Sequence, residues 1–347
     1  MERDMCRLPL MWAAPDDFVL TPDGIINTKG DIVQLSADMI PEPWGWNKAV
    51  KRRFLQLGVA EELMPTDAEL ELWRTFASRR WAAEYAEHLY SGQANTGFLV
   101  ENHMHFCLTN EDLASWIDGN KGHEYILKSE YSSSGRGNTI GRMRPAPVLA
   151  DRFYEKTLDF ALEFEIKETE VCYLGLSVFQ ASRQGKYESN YRLPQAKLQQ
   201  ILISHIDAEG VAGNGSAGIC GDFSAGICGD DSAGICGDYS AGICGDYSVG
   251  ICGDYSAGIC GNGSAGICGD DSAGICGDDV SIGGALRLTR LISMHRALLS
   301  THLLGRYRGI VGIDMLVTDK HLIHPCIEIN LRMNMGVVAM KANRNIC

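Results

Sequence analysis

The sequence lacks any apolar run approaching the ~18 residues that a membrane-spanning helix requires. Its N-terminus, MERDMCRLPLMWAAPDD, offers only Leu8 to Ala14 as a short apolar stretch behind mixed charge, so no secretory leader is expected. A basic surplus is missing too: 31 Lys and Arg stand against 44 Asp and Glu, a net charge of −13, which argues against a nucleic-acid-binding role. Despite 13 cysteines, the short C-x2-C spacing of zinc sites does not occur. Eight cysteines belong to a repeat. The other five (Cys6, Cys107, Cys172, Cys326 and Cys347) are scattered and odd in number, unlike a secreted disulfide framework. These absences together give the expectation of a cytoplasmic protein with reduced thiols.

The repeat is the most regular feature present. Cys220, Cys228, Cys236, Cys244, Cys252, Cys260, Cys268 and Cys276 recur every eight residues in a unit G-I-C-G-D-x-S-A. From Gly218 to Asp279 there are ten Asp and no Lys, Arg or Glu, so the remainder of the chain carries only −3. Frequent Gly opposes a helix at about 1 kcal/mol each. Short A-G-I-C segments between G-D turns would instead stack as a β-solenoid, two octads per coil and about 19 Å tall. In period and Gly/Ser/Ala content the unit resembles the octapeptide repeats of ice-nucleation proteins. A flexible Gly-rich insertion and an ordered solenoid both remain open readings; metal binding is disfavoured by the spacing.

Around the repeat the pattern is that of folded domains. Residues 1–100 read as a small α/β region. Phe18-Val19-Leu20 is a short apolar run before a T-P-D-G turn. Pro43 to Trp46 is turn-like, and Val50, Phe54 and Leu57 fall at helical spacing. Thr66-Asp67 opens a helix expected to run through Leu70, Leu72 and Trp73 to Trp81, with its aromatic positions taken as core. Asn110-Glu111-Asp112 caps a further helix ending at Gly119. A strand follows at Tyr125 to Lys128, then the loop Ser132-Ser133-Ser134-Gly135-Arg136-Gly137. A Lys at a strand end beside small residues suits phosphate, because backbone N–H groups can approach its oxygens; a plain solvated turn is the alternative.

Residues 158–166 and 172–179 read as strands, and 195–206 and 286–304 as amphipathic helices flanking the repeat. Two more strands follow at 309–317 and 324–332. Asp314 lies in the first; Glu328 and Asn330 alternate in the second, so with Arg332 they share one face. Acids inside apolar strands need a partner, and hard oxygens on adjacent strands suit nucleotide-bound Mg²⁺. Solvent-facing edge carboxylates are the other reading.

The set L-K-S-E-Y-S-S-S-G-R-G (127–137), G-I-D-M-L (312–316) and C-I-E-I-N-L-R-M-N-M-G (326–336) resembles the ATP-grasp superfamily over residues 8–210 and 284–340. The P-W-G-W segment (43–46) and F-A-S-R-R (76–80) resemble the region preceding the grasp in an uncharacterised bacterial subgroup. The resemblance implies an α+β, two-lobed fold. Residues 1–100 would precede the grasp, 101–210 would form its N-terminal lobe and the start of the C-terminal lobe, 211–283 the inserted repeat, and 284–347 the rest. It implies ATP and Mg²⁺ as cofactors. Lys128 would contact phosphates and Ser132, Ser133, Ser134, Gly135, Arg136 and Gly137 would form a flap over them. Asp151 would lie near the ribose, Asp314, Glu328 and Asn330 would bind magnesium, and Arg332 would stabilise the transferred phosphoryl group. The implied reaction joins a small carboxylate to a small amine through an acyl-phosphate, with no nucleic acid and no membrane among the partners. Glu130 stands where relatives carry Pro, and Arg79 where they carry His. The short N-terminal region and the stop at Cys347 leave a second reading: a degenerate, non-catalytic grasp scaffold whose repeat presents an interaction surface or self-associates.

Overall fold

Alternation of apolar and polar residues along 158–166, interrupted at Ala161, is what a sheet with one buried and one polar face requires. The computed structural model describes residues 6–34, 39–91, 97–132, 135–207, 218–219, 232–235, 248–251, 266–267, 273–274 and 283–344. Strands β1 (Phe18–Thr21), β2 (Gly24–Asn27) and β3 (Ile32–Val33) form a small antiparallel meander. Strands β4 (His105–Cys107), β5 (Tyr125–Lys128), β6 (Thr139–Ile140) and β7 (Val148–Arg152) form a sheet ordered β4-β7-β5-β6. Then come β8 (Lys156–Ile166), β9 (Val171–Ala181) and β10 (Tyr187–Asn190).

Within the repeat, β11 (Gly218–Ile219), β12 (Ser232–Ile235) and β13 (Ser248–Ile251) pair in parallel, each position facing the one sixteen residues on. Strands β14 (Gly266–Ile267) and β15 (Ala273–Gly274) pair antiparallel. Most of the residues on which the solenoid expectation falls lie outside the described ones. Strands β16 (Gly309–Thr318) and β17 (Ile323–Asn330) complete the main sheet, ordered β10-β9-β8-β16-β17 and antiparallel throughout.

Seven α-helices occur among the described residues: α1 (Lys48–Gln56), α2 (Asp67–Phe76), α3 (Arg79–Ser91), α4 (Asn110–Gly119), α5 (Gln195–Ile206), α6 (Gly284–Leu303) and α7 (Met335–Arg344). None is long and apolar enough to cross a membrane. The helix expected from Thr66 to Trp81 is broken in two. Thr66 opens α2 with a reciprocal capping box to Glu69. The chain then turns at Ala77, and the Ser78 hydroxyl accepts the Trp81 N–H at 3.0 Å to start α3. Thr109, rather than Asn110, caps α4, accepting the Asp112 N–H at 3.1 Å.

The core lies on one face of the main sheet. Phe160, Leu162 and Phe164 of β8 and Val311, Ile313 and Met315 of β16 pack with Leu198 and Leu202 of α5 and Leu291 and Leu299 of α6. Each such side chain contributes about 1.5–3 kcal/mol on burial. The ends of the repeat meet here. Asp207, after α5, accepts the Gly284 N–H at 2.6 Å, and Arg287 donates to the Ile206 carbonyl at 2.6 Å.

The opposite face carries a buried acid. Glu163, 1% exposed, accepts from Asn334 Nδ2 at 2.6 Å and Ser177 Oγ at 3.0 Å. Asn334 Oδ1 in turn accepts the Val337 N–H at 3.0 Å, so one amide docks the start of α7 onto Glu163. The carboxylate fits because Gly312 and Gly336 lack a Cβ: one at Gly312 would stand 2.6 Å from Glu163 Oε2, and one at Gly336 would overlap Oε1. Burial pushes the Glu163 carboxyl up to about 7.

Two outcomes are expected. Replacing residues 208–283 by a short Gly/Ser linker should leave the thermal midpoint within a few degrees, since each halving of a loop changes closure entropy by only about 0.6 kcal/mol. A loss of ~10 °C in calorimetry would show that the repeat supports the core. Glu163 favours folding most below its unfolded value of 4.5, and that contribution is lost as pH rises through about 7. Denaturation at pH 5 and pH 8 should therefore show a smaller loss of stability for Glu163→Gln than for the native chain. Equal losses would contradict this.

Candidate active site

The site is built by strand register. Asp314 pairs with Glu328 across β16 and β17, and with Ala161 across β8; Gly312 pairs with both Asn330 and Glu163. Directly opposed residues of an antiparallel pair share a face. Glu163, Asp314, Glu328 and Asn330 therefore all project from the polar face, over three neighbouring strands. Asn330 Nδ2 lies 3.2 Å from Asp314 Oδ2, and Asn330 Oδ1 accepts from Arg332 Nη2 at 3.2 Å. Partial burial, with Glu328 and then Glu163 nearby, pushes the Asp314 carboxyl well above the usual range. Three carboxylates and an amide oxygen on one face match the donor set of a hard divalent cation.

A cation already reaches this face. Arg79, at the start of α3, is 4% exposed and places Nη2 2.8 Å from Glu328 Oε2. Its Nη1 donates to the Ile327 carbonyl at 3.3 Å, and its backbone N–H to the Glu130 carbonyl at 3.0 Å. Ser132 Oγ accepts from Nη2 at 3.4 Å. One guanidinium thus ties α3 to β17 and to the start of the Ser/Gly loop. Sequence reasoning marked Arg79 only as a departure; its partner lies 249 residues away, and no local pattern signals it.

Lys128 and Asp151 share a face of the other sheet, since Lys128 pairs with Leu149 and Asp151 with Ile126. Lys128 is 3% exposed. Burial lowers its ammonium below the ordinary value against the pull of Asp151, with Arg79 adding to the lowering and Glu328 opposing it. Arg79, bound both to the Glu130 carbonyl two residues beyond Lys128 and to Glu328, sets the end of β5 against the β17 acids. Asp151 is buried and hydrogen-bonded through Oδ2 to His324 Nε2 at 3.0 Å, linking β7 to β17. Asp151 Oδ1, His324 Nδ1 and the Tyr90 hydroxyl are buried without a hydrogen-bond partner among the described residues.

The loop after β5 is placed in part. Ser133 and Ser134 lie outside the described residues. Gly135 and Gly137 take left-handed backbone (φ 68° and 78°). A Cβ at Gly135 would stand 2.8 Å from the Gln184 carbonyl oxygen, and Asn138 Nδ2 donates to that oxygen at 3.1 Å, so the loop rests on the β9–β10 hairpin. Arg136 is exposed. A separate group, His105, Cys107 and Asp112, brings ligand atoms within 4.8 Å of one another. There His105 Nε2 lies 3.0 Å from Asp112 Oδ1, whose Oδ2 accepts the Leu108 N–H, an arrangement that fastens β4 to α4.

Comparison with protein-family models and with curated proteins gives no match. Solved structures do. The D-alanyl-alanine synthetase A of Vibrio cholerae is 10% identical, covering 94% of this chain and 86% of that one, with a TM-score of 0.36. The biotin carboxylase domain of the 2-oxoglutarate carboxylase of Hydrogenobacter thermophilus, solved with MgADP and bicarbonate, is 11% identical over 86% and 51%, with a TM-score of 0.42. The N5-carboxyaminoimidazole synthase of Aspergillus clavatus, solved with ADP, is 11% identical over 78% and 47%, with a TM-score of 0.34. The chain thus spans about half the length of the first of these synthases.

Proposed function

We propose that the chain is an ATP- and Mg²⁺-dependent ligase that joins a carboxylate to an amine. The observation that carries this reading is the shared face of Asp314, Glu328 and Asn330, tied through Arg79 to the chain just beyond Lys128. Asp314, Glu328 and Asn330 would hold magnesium, which when bound neutralises phosphate oxygens. Arg79 engages Oε2 of Glu328, and the rest of that donor set is compatible with a cation. Lys128, kept in a dry position, supplies fixed positive charge to phosphate oxygens without reorganising. Ser132 and the backbone at Gly135 to Gly137 offer further donors, and Arg136 an exposed charge. The unpartnered Asp151 Oδ1, on the sheet face of Lys128, and the unpartnered Tyr90 hydroxyl would find partners in a nucleotide. Arg332, held by Asn330 and the Met333 carbonyl, would stabilise charge developing as the substrate carboxylate attacks the terminal phosphoryl group. An amine then displaces phosphate from the acyl-phosphate. The task of these residues is positioning and charge neutralisation, and no cysteine nucleophile is needed.

One observation favours the alternative, a non-catalytic scaffold: the Arg79 guanidinium stands where it neutralises Glu328 without any metal.

Thermal unfolding with and without Mg·ADP separates the two. Nucleotide at 100 times its dissociation constant should stabilise the native chain by about 2.7 kcal/mol. Asn330→Ala and Glu328→Ala, each read against its own ligand-free midpoint, should lose the magnesium-dependent part of that shift. Lys128→Ala should weaken ADP itself by about tenfold, the loss of one buried charge on a phosphate. A well-folded native chain with no Mg·ADP shift would leave the scaffold reading.

A further inference from the structure

Beside Arg332 lies a cavity of about 560 Å³ that the nucleotide reading does not use. Its walls come from the Pro43–Asn47 segment, α2, Tyr131, the entry to β16 and the exit from β17. The construction is local and rigid. The Met333 N–H donates to the Trp44 carbonyl at 2.8 Å, pinning the segment to the end of β17. Gly45 then lies flat on Arg332: a Cβ there would meet Arg332 Cβ at 3.0 Å. Asn47 next caps α1 through the Ala49 and Val50 N–H groups. On the far wall the Trp73 indole donates to the Arg306 carbonyl at 2.7 Å and meets Tyr307 edge-on, 5.2 Å between ring centres. Trp44, Trp46 and Trp73 line the cavity and are only partly buried.

The charge in this cavity is uneven. Lys48 is matched by Glu71 at 2.5 Å. Arg74 lies over the Tyr131 ring at 4.2 Å, and Arg332 bonds only to neutral oxygens. Neither of these, nor Arg308, makes an ion pair among the described residues. Glu42 at one edge and Glu165 on the sheet floor are the opposing acids. A site of this size with flat aromatic walls and a few convergent guanidinium groups has the composition of a small-molecule site. Guanidinium groups recognise a carboxylate through paired N–H donors, and tryptophan faces recognise a flat apolar body.

We propose that this cavity binds the carboxylate substrate, and that the substrate is a carboxylic acid with an aromatic body. The inference rests on the ligase reading for the fate of the carboxylate, which the cavity would hold beside Arg332. Binding itself is tested without nucleotide.

The probes are phenylacetate, phenylacetamide and acetate, titrated calorimetrically into the full chain. Phenylacetate should bind at least about tenfold more tightly than either of the others, since one lacks the charge and the other the ring. Trp46→Ala and Arg308→Gln should each reduce that affinity by about tenfold, as expected for an aromatic and an arginine anchor. Equal binding of phenylacetate and phenylacetamide, no binding of phenylacetate, or native affinity in both variants would overturn the assignment. The same samples are scanned with Mg·ADP. A nucleotide shift without phenylacetate preference removes this inference and leaves the ligase reading in place. Phenylacetate preference without a nucleotide shift upholds the cavity and removes the ligase reading.

Discussion

The antiparallel register of β8, β16 and β17 puts every second residue of three strands on a common side. One side is Phe160, Leu162, Phe164, Val311, Ile313 and Met315, sealed by α5 and α6. The other is Glu163, Asp314, Glu328 and Asn330. A one-residue slip of β17 would exchange the two, burying acids under the helices and exposing Ile329 to the site. The hydrophobic side thus fixes the chemical side: the free energy that seals the core also holds the acids in register.

Crowding acids on one face has a cost that the structure meets in several ways. Arg79 neutralises Glu328 from across the molecule. Asn330 stands beside Asp314, and Asn334 and Ser177 donate to Glu163. Arg79 also binds the Glu130 carbonyl, two residues beyond Lys128, and so joins the second sheet to this group. What compensation remains incomplete appears as the raised Asp314 and Glu163 carboxyls. Destabilisation of this kind concentrates where a ligand is to supply the missing charge.

Much of this arrangement was legible from local pattern. The Tyr125–Lys128 strand is an apolar run closed by its lysine, and the Glu328/Asn330 alternation discloses a shared face before any partner strand is known. Helix α5 reads directly from its periodicity. What stayed hidden depends on distant partners. Glu163 and Glu165 are equivalent in the sequence, two residues apart on one strand. Glu163 is buried because Gly312 and Gly336 leave it room, whereas Glu165 lines the cavity. Trp73 has the spacing of a core residue, yet its indole bonds to Arg306 and its face borders the cavity. The break at Ala77–Ser78 has no glycine or proline to announce it, because a serine cap and the docking of Arg79 create it.

The hydrogen bond from Gly284 to Asp207 closes a neck at the base of the repeat. Departure and return of the chain are fixed to each other at this neck, whatever the length of chain between them. Tandem copies of a near-identical octad are also what replication slippage adds and removes most readily in a gene. Such changes in copy number would pass through this neck without altering the spacing of α5 and α6.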